Sequence, residues 1–216
     1  MRCDFLNVFW RVGVGCVVVV LLAGGGLSVR GEEERLGAPP PESVSPELRE
    51  ILRQTTLSMQ ERRLEDADLM LRQGLREFRG DPLLRLSFTT LLFERGDHVR
   101  AMRVLRDLIR ERPGWSVPMN NLAWMLVTTS DPELRDPDEA LALAQTALLL
   151  SPETYNIWNT LAEIYFELGD LDIALRMAVQ AWTLANRYHA PVEVLAQYGH
   201  RIDRISLVKD ALTLME

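Results

Sequence analysis

Side chains able to do chemistry are few in this chain and poorly spaced for it. His98, His189 and His200 are scattered, with no metal-ligand spacing among them, and suit surface or helix-terminal positions. Both cysteines, Cys3 and Cys16, lie in an apolar N-terminal stretch, so a chain processed there would hold no thiolate and no disulfide. The densest acidic cluster is Asp131, Glu133, Asp136, Asp138 and Glu139. It lacks the alternating oxygen ligands and central glycine of a calcium loop, and two of its aspartates stand before prolines, where helix starts need them as caps. The glycine run Gly24 to Gly26 belongs to the N-terminal stretch and does not follow a strand as a phosphate loop would. The sequence therefore predicts no catalytic residues, no metal, no cofactor and no small-molecule substrate. The acidic cluster is expected to shape an edge of the fold.

Charge narrows the partners. The 216 residues carry a net charge of -7, which disfavours nucleic acid and anionic membranes as general partners. Leu48 to Arg112 is arginine-rich and mildly positive, and Pro113 to Glu216 holds most of the negative excess. Lys209 is the only lysine.

The first 28 residues have the pattern of an export signal: Arg2 and Arg11, an apolar run from Val12 to Ala23, then "AGGGLS". An uncleaved signal anchor is the alternative, and it is the only predicted membrane contact. Either way the remainder is expected outside the cytoplasm, periplasmic or tethered to the inner membrane and facing the periplasm. Lipidation at Cys16 is disfavoured, because "VGVGC" puts Gly13 where leucine is expected. Residues 29–46 are Pro- and Glu-rich, without apolar period, and read as a tether.

From Ser45 onward the apolar residues keep a helical period, and the breaks between runs carry helix-end chemistry. Ser45-Pro46-Glu47 supplies a cap, a proline for the first turn and an acid against the helix dipole. Asp81-Pro82, Asp131-Pro132, Asp136-Pro137 and Ser151-Pro152 repeat the cap-proline pair, and Asp136 with Glu139 has capping-box spacing. Gly96 and Gly169 each precede an aspartate and suit left-handed C-terminal caps.

The helices repeat. Sliding "WNTLAEIYFELGD" back by 39 residues puts Leu161-Ala162 on Leu122-Ala123, and a further 34 puts them on Phe88-Thr89. Ala174, Ala178 and Ala181 then match Ala140, Ala144 and Ala147, followed by Ala101, Leu105 and Leu108, once extra residues around "SDPELRDP" are assigned to a turn. Small residues at such intervals let two helices cross closely, while Trp158, Leu161 and Tyr165 are expected to fill the space between neighbours. One such hairpin cannot bury its apolar face alone, so several must stack.

This pattern of "WNTLAEIY", "GD", spaced small residues and a terminal proline at a period of 34 resembles the tetratricopeptide repeat (TPR) family. The resemblance implies an all-α fold, a right-handed α-solenoid of helix-turn-helix repeats over residues 47–188. The repeats are 48–81, which is degenerate, 82–115, 116–154 with the insertion, and 155–188; residues 189–216 supply one or two closing helices. Their Leu207, Leu212 and Leu214 have no obvious cover.

By that resemblance the first helix of each repeat lines a concave groove at i, i+3, i+7 and i+10. The peptide-groove candidates are Asn156, Asn159, Glu163 and Phe166, with Asn120, Trp124 and Val127 in the preceding repeat and Thr90 and Phe93 before that. The two matched asparagines could donate to and accept from an extended peptide, and the aromatics could anchor it. The basic set that clamps a C-terminal carboxylate in some TPR domains is absent from these positions. The implied function is a non-catalytic, exported bacterial protein that binds another protein or peptide and serves as a scaffold or assembly factor for an envelope complex. The alternative is an accessory subunit or glycan-binding module of an envelope enzyme system.

Overall fold

The computed structural model describes residues 44–215, and the signal, lipid-site and most of the tether expectations lie outside them. Nine α-helices and no strand occur among the described residues: α1 Pro46–Gln60, α2 Leu64–Glu77, α3 Pro82–Glu94, α4 His98–Glu111, α5 Ser116–Thr128, α6 Pro137–Leu150, α7 Tyr155–Glu167, α8 Leu171–Arg187 and α9 Val192–Thr213. None is long and apolar enough to cross a membrane. The described residues divide into two compact units, one up to Pro118 and one from Met119, with the boundary near the start of α5.

In the first unit α1 pairs with α2 and α3 with α4, and α3 packs on both helices of the first pair. Gly74 explains how closely the pairs approach: a Cβ there would stand 3.1 Å from a Leu84 methyl and 3.3 Å from an Ile51 methyl. Leu52, Leu71, Leu84, Leu91 and Leu105 fill the core. Arginines on the outside pair with acids between helices, Arg62 with Glu94 and Arg95 with both Glu65 and Asp68. Burial raises the Glu94 carboxyl above the ordinary range against the opposing pull of Arg62.

In the second unit α6 packs on α7, α7 on α8 and α8 on α9. The crossing of α7 and α8 is lined by small residues, as the repeat spacing requires. Ala162, Ala174 and Ala178 are buried together with Ile205 of α9, and Tyr165, Phe166, Leu175 and Ile202 close around them. Fully buried alanines bring the two backbones together, and there is no room for a larger side chain without displacement.

Helix ends follow the sequence with instructive exceptions. The Ser45 hydroxyl accepts from the Leu48 N–H at 3.2 Å, Asp81 accepts from Leu83 and Leu84, and Asp97 from Arg100. Such caps are each worth about 1 kcal/mol. Gly96 and Gly169 adopt φ of +78° and +84°, the left-handed conformation their positions call for. Asp131 caps a 3-10 turn, Pro132–Leu134, rather than a helix. Asp136 accepts from the Glu139 N–H at 2.8 Å, but its own N–H donates to the Leu126 carbonyl, which takes the place of the reciprocal half of a capping box.

Ser151-Pro152 does not open a helix. Ser151 ends α6, and α7 begins only at Tyr155, after a turn in which the Thr154 N–H donates to the Ser151 carbonyl. Trp158 accounts for the delay: instead of filling the space between helices it is half-buried and donates from its indole N–H to the Pro152 carbonyl at 2.7 Å, holding the turn.

Candidate functional site

The candidate residues of the second unit sit on the helices expected to carry them. Three turns of α7 place Asn156, Asn159, Glu163 and Phe166 in register on one face, and α5 contributes Asn120, Trp124 and Val127. All are buried except Phe166, which is half-buried; Asn120 is 4% exposed and Asn159 2%. Thr90 and Phe93 belong to the first unit, on α3. Thr90 is buried, and Phe93 stacks on His98 with ring centroids 4.5 Å apart.

Around the second-unit set the face is covered by α9. The Tyr198 hydroxyl donates to the Asn156 side-chain oxygen at 2.7 Å. The guanidinium of Arg201, 1% exposed, forms an ion pair with Glu163 and lies 5.6 Å from the centre of the Trp124 ring. Arg204 makes a second contact with Glu163 at 3.3 Å, and its guanidinium lies 4.1 Å over the Phe166 ring. Four of the seven candidates in this unit thus touch one helix through a hydroxyl, two guanidiniums and two aromatic faces. The fit requires no strand pairing and no extended peptide.

Two arginines share the Glu163 carboxylate. Desolvation, and then the charge of Arg204, bring the Arg201 guanidinium down to about 9, still cationic at neutral pH. Desolvation also lowers Arg204, against the attraction of Glu167, which itself pairs with Arg135 from the insertion turn. The side-chain oxygens of Asn120 and Asn159 and the Trp124 indole N–H have no hydrogen-bond partner among the described residues.

No other constellation among the described residues competes with this one. No group of three His, Cys, Asp or Glu comes together there. His98 is the first residue of α4, His189 follows α8 in a left-handed turn, and His200 lies on the exposed side of α9. The acids of the insertion turn serve as caps, with Asp131 and Asp136 accepting backbone N–H groups.

Tyr198, Arg201 and Arg204 escaped the sequence reading, although a signal was present. The buried positions of α9 are Val194, Gln197, Tyr198, Arg201 and Ile205, a helical stripe in which a charged residue stands where an apolar one belongs. A charge on that stripe demands a buried partner of opposite sign, and Glu163 is the acid at an inward register of α7.

The class defined by this architecture is an all-helical protein built of packed helix pairs. Residues 133–187 match the family model described as tetratricopeptide repeat. Among solved structures the chain is similar to yeast Tom70, with a TM-score of 0.56 and 20% identity over 72% of this chain and 32% of that one. It is also similar to MamA 41-end from Desulfovibrio magneticus RS-1, with a TM-score of 0.51 and 14% identity over 78% of this chain and 98% of that one. A MamA RS-1 double mutant gives 0.51 and 15% over 78% and 99%. No curated protein sequence matches. The likeness to the solved structures is one of fold, and the chain spans only about a third of Tom70. Residues 133–187 thus match a tetratricopeptide repeat, and the described residues share the all-helical fold of these solved structures.

Proposed function

We propose that this chain is an exported, non-catalytic scaffold that binds another protein and assists the assembly of a complex in the bacterial envelope. One observation carries the binding part of this proposal. The inner registers of α5 and α7 hold a helix by specific side-chain contacts, Tyr198 to Asn156 and Arg201 and Arg204 to Glu163, with both guanidiniums over aromatic rings. A surface that recognises a helix in this way is a protein-binding surface. The export signal pattern of residues 1–28 supports the location.

A photo-crosslinking amino acid at Phe166 or Phe93, with Gln145 as the outward-facing control, tests the binding role in intact cells. A partner protein crosslinked from Phe166 or Phe93 and not from Gln145 is the expected result; equal yields from all three would remove the inner face as the working surface. Location is read separately. N-terminal sequencing of the envelope-associated protein is expected to start between Gly26 and Glu32, whereas an intact Met1 terminus would favour the anchor and a cytoplasmic pool would end the export reading.

A further inference from the structure

We infer that the inner face of the second unit is a receptor for an arginine-bearing amphipathic helix, and that the free chain fills this receptor with its own α9. Whether a natural partner uses the same face rests on the proposed scaffold role; the occupancy by α9 and its release do not.

Three features separate α9 from an ordinary closing helix. Its contacts are chemically selective. A helix whose only task is to cover an apolar edge needs leucines, yet α9 buries Gln197 and Arg201 beside Val194, Tyr198 and Ile205, and brings Arg204 to the same carboxylate. An ion pair removed from water adds little net stability over an apolar pair, but a helix without the guanidinium would leave Glu163 buried and uncompensated, so the pair discriminates strongly between helices.

The match is also incomplete. The Asn120 and Asn159 oxygens and the Trp124 indole N–H, all on inward-register residues at least nine-tenths buried, have no hydrogen-bond partner among the described residues. A helix that supplied matching donors and an acceptor would gain interactions that α9 does not make.

The link from α8 to α9, finally, is short. His189 turns at φ +53°, a conformation that non-glycine residues seldom adopt, and Pro191 stands immediately before α9. At the other end Leu212, Leu214 and Met215 are exposed, and the exposed Lys209–Asp172 pair is the ion pair that ties this part of the helix to α8. The intramolecular link gives α9 a high effective concentration at the face, so an intermolecular helix competes only if it fits better or if α9 is weakened.

The test uses the full chain and a labelled synthetic peptide of residues 192–213. Against the parent protein the peptide should bind weakly, because the face is occupied. Against the full chain carrying Arg201→Ala and Arg204→Ala it should bind at least tenfold more tightly. A peptide carrying the same two substitutions should lose at least tenfold in affinity for that variant. Equal binding of the two peptides, or no gain in the variant, overturns the receptor. Should circular dichroism show the variant unfolded, hydrogen exchange on the parent decides. Amides of α9 exchanging through an opening that leaves α7 and α8 protected support a releasable helix, and a single cooperative unit of all three rejects it. Failure of the peptide would not touch the scaffold proposal, which the cellular crosslinks test independently.

Discussion

Helix α7 treats two of its neighbours, α8 and α9, in opposite ways. Toward α8 it presents Ala162 to Ala174 and Ala178, a close crossing of small apolar side chains. Toward α9 it presents Asn156, Glu163 and Phe166 to a hydroxyl and two guanidiniums. The first contact is held by shape and exclusion of water, and any helix with small residues at the right interval would make it. The second is held by complementary groups, and few helices would satisfy it. Within 13 residues the sequence writes one face for close apolar crossing and another for polar contact with α9.

The most damaging change to this comparison is Glu163→Ala. It leaves the Arg201 guanidinium buried without its carboxylate, a loss of about 3 to 5 kcal/mol. The loss should fall on the docking of α9 rather than on the α7–α8 crossing. Hydrogen exchange resolved by helix is the measurement: protection should vanish in α9 and persist in α8. The double variant Glu163→Ala/Arg201→Met should recover much of the loss, since it removes the uncompensated charge and keeps volume; the recovery measures the coupling between the two residues.

Next in size is Ala162→Leu, which attacks the other face of α7. Extra bulk in the alanine crossing should cost about 1 to 3 kcal/mol. Gln145→Leu, on an exposed position of α6, should stay within about 0.5 kcal/mol. Chemical denaturation followed by tryptophan fluorescence compares them, and equal midpoints would mean that the alanines do not mark a close crossing.

A smaller effect is expected from Asn120→Ala or Asn159→Ala. If these amides were tied into the core by hydrogen bonds, each substitution would leave a partner stranded. Their side-chain oxygens lack partners among the described residues, so truncation relieves a desolvated carbonyl while opening a small gap, and the net change should be below about 1 kcal/mol. A loss of 2 kcal/mol or more by thermal melting would show that the amides hold the fold together instead of facing a ligand.

These cases also mark how far the sequence could be read. The helices, the alanine crossing and most glycine and aspartate ends were legible because each depends on residues a few positions apart: the 3.6-residue period, Asp81 before Pro82, Gly96 before Asp97; Asp170 after Gly169 is the exception, starting α8 without a side-chain cap. The inward registers of α7 were legible as positions. Their occupant was not, because Tyr198 to Asn156 and Arg204 to Glu163 join residues 42 and 41 apart, and no local pattern specifies that pairing. Local chemistry also misled where two local devices competed. Ser151-Pro152 has the form of a helix start, but the Trp158 indole bonding to the Pro152 carbonyl holds those residues in a turn.

The smallest effect sharpens the comparison at the far end of α9. Asp172 accepts from Lys209 at 2.5 Å, and that hydrogen bond, followed by the charge of the same lysine, holds its carboxyl below the ordinary aspartate value of 3.8. A carboxylate whose folded pKa is depressed contributes stability that is present above its unfolded value, near 4, and is lost as the pH falls through the lower, folded value. The contact is solvent-exposed, so salt screens it. Asp172→Asn should therefore leave α9 docked at pH 7 and only loosen its last turns, and the same loosening should occur in the parent protein below pH 4 or in molar salt. Backbone amide exchange in residues 207–213 reads this directly. Should Asp172→Asn release the whole of α9 as Glu163→Ala is expected to do, the helix is held by its exposed end, and the buried pair at Arg201 is not what selects it.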